Sequence, residues 1–216
     1  PTPSDTLASR MGEPTWEIAA LLYPKQGRWT EEEFFEIRDR SDRRIEFVRG
    51  FLDVHGMADW VHGLLCRWLV TWLDQDAEDA GGGPAMFASL TVQLVPGELN
   101  REPDVFLLRP GVRRAGRRYP AANDVLIAFE VVSEDRQSVA RDHIEKRAEY
   151  AAAGIPEYWI VDPTDPADPF VLVLALPDGT NEYVEHGAFR PGEFATSPAL
   201  PSLRCDVAAL FAAAEN

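Results

Sequence analysis

Val125-Leu-Ile-Ala-Phe-Glu-Val-Val132 is a nearly continuous apolar run carrying one acid, Glu130. Such a run is typical of a strand buried on both faces. Beyond it the pattern predicts a helix over about Ser138 to Ala153, with Gly154 well placed as its C′ residue. Pro156-Glu-Tyr-Trp-Ile-Val-Asp-Pro163 returns as a strand, and Phe170 to Leu176 and Glu182 to Glu185 continue the sheet. A short helix, Val207 to Ala214, closes the chain. On the N-terminal side, Asp104 to Leu108 is short and apolar, and Met86 to Val95 alternates small or polar with apolar residues, so both read as strands.

Further upstream the period lengthens. Val61, Leu64, Leu65, Trp68, Leu69, Trp72 and Leu73 recur at three- and four-residue steps, a helix that Asp59 can cap and Gly81-Gly-Gly-Pro84 ends. Arg44-Ile-Glu-Phe-Val-Arg-Gly-Phe-Leu-Asp-Val54 alternates around Gly50 and reads as a hairpin. Thr30 and Glu33 have capping-box spacing ahead of Phe34, Phe35 and Ile37, which predicts a helix from about Glu31 to Asp39. Residues 1–28, rich in Pro, Gly and small residues, read as a loosely held arm. No internal repeat and no long linker divides residues 29–216. The expected fold is α/β (α+β), a single domain with a central mixed β-sheet flanked by helices.

Composition narrows the function. With 21 Lys+Arg against 36 Asp+Glu in 216 residues, the net charge is −15, and 45% hydrophobic with 26% charged residues describes a globular chain. A protein that holds nucleic acid by charge alone usually carries a net positive footprint, so any such contact here rests on a local patch. Arg109, Arg113, Arg114, Arg117 and Arg118 share a stretch without an acid, either a solvated loop or that patch. Two cysteines, Cys66 and Cys205, are too few for a disulfide framework or a cysteine-based zinc site. The N-terminus lacks a signal pattern and no apolar run approaches the roughly 20 residues that span a bilayer, so a soluble, cytoplasmic protein is expected.

Two acids on apolar strands point to chemistry. Glu130 shares a strand face with Leu126, Ala128 and Val132, and Asp104 heads Asp104-Val-Phe-Leu-Leu. An ionised carboxylate in such company needs a cation or several donors. Either Asp104 caps a turn after Pro103 and Glu130 pairs with an Arg, or the two meet around one divalent ion, for which oxygen donors suit Mg²⁺ or Mn²⁺. Asp142, Lys146 and Tyr150 are spaced i, i+4, i+8 on one helix face. That face is either solvated, with a weak ion pair, or packed over the Glu130 strand, where the Lys146 ammonium can act on an attacking water or a phosphoryl oxygen.

Taken in order, Glu102-Pro-Asp-Val, Phe129-Glu-Val-Val-Ser133, Asp142-x-x-x-Lys146-x-x-x-Tyr150 and Gly154-Ile-Pro-Glu-Tyr-Trp-Ile-Val-Asp-Pro163 resemble the Uma-type family. The family has the restriction-endonuclease-like fold of the PD-(D/E)xK superfamily. The likeness spans roughly residues 30–212, with Glu46, Gly50 and His62 standing where the family has its own Glu, Gly and His. It implies that Asp104 and Glu130 are metal ligands, that the Val131 carbonyl completes the coordination, and that Glu46 is an auxiliary ligand or orients one. The lysine expected two residues after the Glu is Val132 here, and the resemblance assigns its part to Lys146.

The function implied is a Mg²⁺- or Mn²⁺-dependent endonuclease acting on DNA, leaving a 5′-phosphate and a 3′-hydroxyl. A homodimer is the expected assembly, since two-fold symmetry suits cleavage of both strands. Arg113, Arg114, Arg117 and Arg118 are the candidate nucleic-acid contacts. The alternative is a catalytically inactive module that keeps the nuclease scaffold for protein or nucleic-acid interaction, which the net charge and Val132 favour. Among other residues, His62 reads as a packing or hydrogen-bonding group, Cys66 as a small core residue, Tyr158 and Trp159 as core or dimer contacts, and His143 and His186 as surface residues.

Overall fold

Side chains alternate between the faces of a strand, so the apolar runs of this chain sort themselves into layers. The computed structural model describes residues 22–41, 43–56, 59–87, 90–113, 116–133 and 140–215; most of the predicted arm, residues 1–21, and position Arg114 lie outside them. Among the described residues, the α-helices in chain order are α1 (Glu31–Arg38), α2 (Trp60–Asp76), α3 (Lys146–Ala152), which continues a π turn over Arg141–Glu145, and α4 (Val207–Ala212). The first strands are β1 (Ile45–Val48), β2 (Phe51–Val54), β3 (Ala85–Phe87), β4 (Val92–Val95), β5 (Leu99–Arg101) and β6 (Val105–Leu108). They continue with β7 (Val125–Val131), β8 (Glu157–Asp162), β9 (Phe170–Ala175), β10 (Val184–Phe189), β11 (Phe194–Thr196) and β12 (Arg204–Asp206).

Two compact units result, one drawn at Pro1–Met57 with Thr91–Glu102 and the other at Ala58–Leu90 with Pro103–Asn216. In the first, β2-β1-β5-β4 form an antiparallel sheet. Arg49 and Gly50 make a two-residue turn between β1 and β2 with φ of 47° and 85°, the paired positive φ of a type I′ hairpin. A Cβ on Gly50 would stand 2.8 Å from the Gly27 carbonyl carbon, so that site excludes a side chain on two counts. Thr30 and Glu33 close a full capping box on α1, whose Phe34 and Ile37 pack with Trp29, Ile45, Phe47 and Leu52.

The second unit is a mixed α+β arrangement around a six-stranded sheet, order β10-β9-β8-β7-β6-β3. The β7–β8 pair is parallel, joined through α3 as a crossover helix, and the remaining pairs are antiparallel. Ile127, Phe129 and Val131 of β7 share a core with Trp159, Val161, Val171 and Val173, covered by Leu65, Leu69, Trp72 and Leu73 of α2 and by Leu210 and Phe211 of α4. The alternate positions, Ala128 and Glu130 on β7 and Tyr158 on β8, turn to the opposite face, where the Tyr150 and Tyr158 rings meet edge-on at 5.1 Å. Both faces of β7 are therefore buried, as its sequence requires.

One expectation needs correction. Met86 to Val95 is not one strand but supplies two, β3 pairing with β6 in the second unit and β4 pairing with β5 in the first. Alternation is the same in both segments, and it carries no information about which partner each will choose. The strands β5, β11 and β12 carry no strong local pattern and were not expected. Among the described residues, no helix is long and apolar enough to cross a membrane.

Candidate active site

Register brings the two strand acids together. Val105 pairs with Phe129 and Phe106 with Ala128, so one further step sets Asp104 opposite Glu130 on the same face. Asp104 Oδ2 accepts a hydrogen bond from the Val131 N–H at 2.8 Å. The same oxygen lies 3.1 Å from His62 Nε2, in the first turn of α2, a turn that Asp59 caps through the His62 N–H at 2.8 Å.

The helix after β7 supplies the cation. Lys146 Nζ stands 2.8 Å from Glu130 Oε2 and 3.0 Å from Asp142 Oδ1, and the Tyr150 hydroxyl donates to Glu130 Oε1 at 2.6 Å. The Glu130 and Lys146 side chains are each 1% exposed, which separates this pair from the weak surface kind. Asp142 belongs to the π turn, where the Lys146 N–H reaches back to the Arg141 carbonyl, and the Tyr158 hydroxyl donates to the Asp142 carbonyl at 2.9 Å. Single π turns recur at functional sites because they re-aim a side chain within a helix. Burial, followed by Glu130, Asp142 and Asp104, pushes the Tyr158 phenol well above its ordinary range, so it stays protonated as a donor. Those three carboxylates thus lie within electrostatic reach of one hydroxyl.

The helix face carrying Asp142, Lys146 and Tyr150 is the packed one of the two arrangements the spacing allowed, and Lys146 pairs with Glu130. Val132 is buried. Glu46 lies in the first unit, where Arg101 Nη1 at 2.7 Å, the Glu102 N–H at 3.0 Å, His55 Nε2 at 3.2 Å and Arg44 Nη2 at 3.3 Å surround it. Of the arginines, Arg117 forms a two-pronged pair with Asp124 at 2.6 and 3.1 Å, Arg118 lies over the Tyr119 ring, and Arg113 is exposed. His143, expected at the surface, is half-buried with Nε2 3.2 Å from Asp162, and His186 is exposed. The contact of His62 with Asp104 went unread in the sequence; the only local signal was the i, i+4 spacing of His62 and Cys66.

Comparison with known proteins meets this geometry. The family model Uma2, described as "Putative restriction endonuclease", matches residues 31–208, a span that includes each of these side chains. The chain belongs to the Uma2 family. A crystal structure described as a putative nuclease belonging to DUF820, from Anabaena variabilis ATCC 29413, superposes with a TM-score of 0.60 over 79% of this chain and 90% of that one, at 16% identity. At that identity the likeness establishes a shared, nuclease-like fold. No curated protein matches the sequence.

The donor chemistry of Asp104 and Glu130 suits a hard divalent ion. Asp104 and Glu130 offer carboxylate oxygens at adjacent positions of one sheet face, with the main chain of Val131 beside Asp104. Carboxylate and carbonyl oxygens favour Mg²⁺ or Mn²⁺ over softer metals.

Proposed function

We propose that this Uma2 protein is a divalent-metal-dependent endonuclease that hydrolyses DNA phosphodiester bonds. The observation that carries the proposal is the meeting of Asp104 and Glu130 on one sheet face with Lys146 bound to Glu130 from the next helix. Family membership and the nuclease-like fold support the reaction class. Mg²⁺ or Mn²⁺ held by Asp104, Glu130 and the Val131 carbonyl would supply Lewis-acid polarisation of the scissile phosphate. Lys146 presents its ammonium at the same point, where it stabilises charge on a phosphoryl oxygen and favours deprotonation of the attacking water. Tyr150 fixes the Glu130 carboxylate, and Tyr158 anchors the π turn that carries Asp142. Arg113, Arg114 and Arg118 contact DNA phosphates, while Arg117 is held by Asp124. Two copies acting together serve the two strands of a duplex.

The test is nicking of supercoiled plasmid with Mg²⁺ or Mn²⁺. Asp104→Asn and Glu130→Gln should each slow cleavage by on the order of 100-fold or more. Equal rates in the parent and Asp104→Asn overturn the assignment.

A second reading, a non-catalytic interaction module, draws on a different observation: both acids already have protein donors, Val131 N–H and His62 for Asp104, Lys146 and Tyr150 for Glu130. Under it, divalent ions leave the unfolding temperature unchanged.

A further inference from the structure

The His62 imidazole stands between a carboxylate and a thiol. Its Nε2 lies 3.1 Å from Asp104 Oδ2, and its Nδ1 lies 3.6 Å from Cys66 Sγ. His62 and Cys66 are four residues apart on α2 and so share a helix face, while Asp104 comes from the head of β6. One nitrogen, one sulfur and one carboxylate oxygen fall within 4.8 Å of one another, and all three residues are only partly buried. A tetrahedral ion with ligands at about 2.0–2.3 Å spaces them about 3.3–3.6 Å apart. The two short contacts use opposite nitrogens of the ring, and an ion takes only one of them, so side-chain rotation of His62 and Cys66 has to bring the sulfur, the carboxylate oxygen and a single nitrogen around one point.

We propose that His62, Cys66 and Asp104 form a second cation site, selective for a borderline-soft transition ion of the Zn²⁺ type. Thiolate and imidazole ligands select such ions, whereas the all-oxygen set of Asp104, Glu130 and Val131 selects Mg²⁺ or Mn²⁺. On binding, the Cys66 S–H gives its proton to solvent and the sulfur bonds the ion. Three protein ligands leave a fourth position for water. Because Asp104 belongs to both sets, the two ions compete; that consequence, unlike the binding itself, rests on the nuclease reading.

The experiment is a Co²⁺ titration of the full chain, followed by the thiolate-to-cobalt charge-transfer absorption, in the parent, Cys66→Ser and Glu130→Gln. Cys205 is fully buried and remains in every variant as the internal control. The parent should show a saturable charge-transfer band at one ion per chain. Cys66→Ser should lose the band and weaken Co²⁺ binding at least about tenfold, with an unchanged far-ultraviolet circular dichroism spectrum. Glu130→Gln should keep the band even where plasmid cleavage is gone, which separates this site from the nuclease reading. A parent without the band, or a Cys66→Ser variant that retains it, overturns the proposal. Loss of the band in a folded Glu130→Gln also overturns it, since Glu130 would then belong to the ligand set of the thiolate-bound ion. His62→Asn, which removes the imidazole without touching the thiol, should weaken binding to a similar degree.

Discussion

Lys146 is the cation that two buried carboxylates of the second unit, Glu130 and Asp142, share. Removing its ammonium leaves both carboxylates out of water without that cation, so Lys146→Met should cost about 3–5 kcal/mol in urea unfolding. Tyr150→Phe removes one hydrogen bond to the same carboxylate and should cost about 1.5–3 kcal/mol, leaving the fold in place. In the first unit, burial lifts Glu102 from its ordinary 4.5 to about 7, against the pull of the Arg38 and Arg44 guanidinium groups. Between those values the folded chain holds a proton that the unfolded chain releases, so stability falls as pH rises through the window. Urea midpoints at about pH 5 and pH 8 should show the parent losing up to about 3 kcal/mol relative to Glu102→Gln; parallel behaviour of the two proteins would contradict the shift.

At the scale of elements, what was legible in the sequence is what is local. The capping box of α1, the Asp59 cap and apolar stripe of α2, and the Arg49–Gly50 turn each depend on residues within a few positions of one another. Asp59→Ala should cost about 1 kcal/mol in urea unfolding and loosen the turn that places His62 beside Asp104. Strand partnership was not legible. The segments that become β3 and β4 alternate alike, and only long-range pairing assigns one to each unit. The short β11 and β12 pair with each other across the loop Ser197-Pro-Ala-Leu-Pro-Ser-Leu203, which gives no periodic signal. The i, i+4, i+8 spacing of Asp142, Lys146 and Tyr150 disclosed a shared face, but whether it meets solvent or the Glu130 strand is decided by the β7–α3–β8 crossover.

For the whole molecule, Uma2 membership and the nuclease-like fold are established, while the charge of −15 sets this chain apart from proteins that hold nucleic acid by overall charge. Specific chemistry has to come from a small region, and the acids of β6 and β7 with Lys146 are that region in the present account. Metal that binds only the folded chain raises its melting temperature by mass action, about 2.7 kcal/mol at a 100-fold excess over Kd. For a chain of this length that is a rise of about 5–10 °C. The decisive measurement is thermal unfolding with and without millimolar Mn²⁺ in the parent and in the Asp104→Asn/Glu130→Gln double variant. The account predicts a rise in the parent that the double variant lacks; a parent indifferent to Mn²⁺, or a double variant that responds equally, would contradict it.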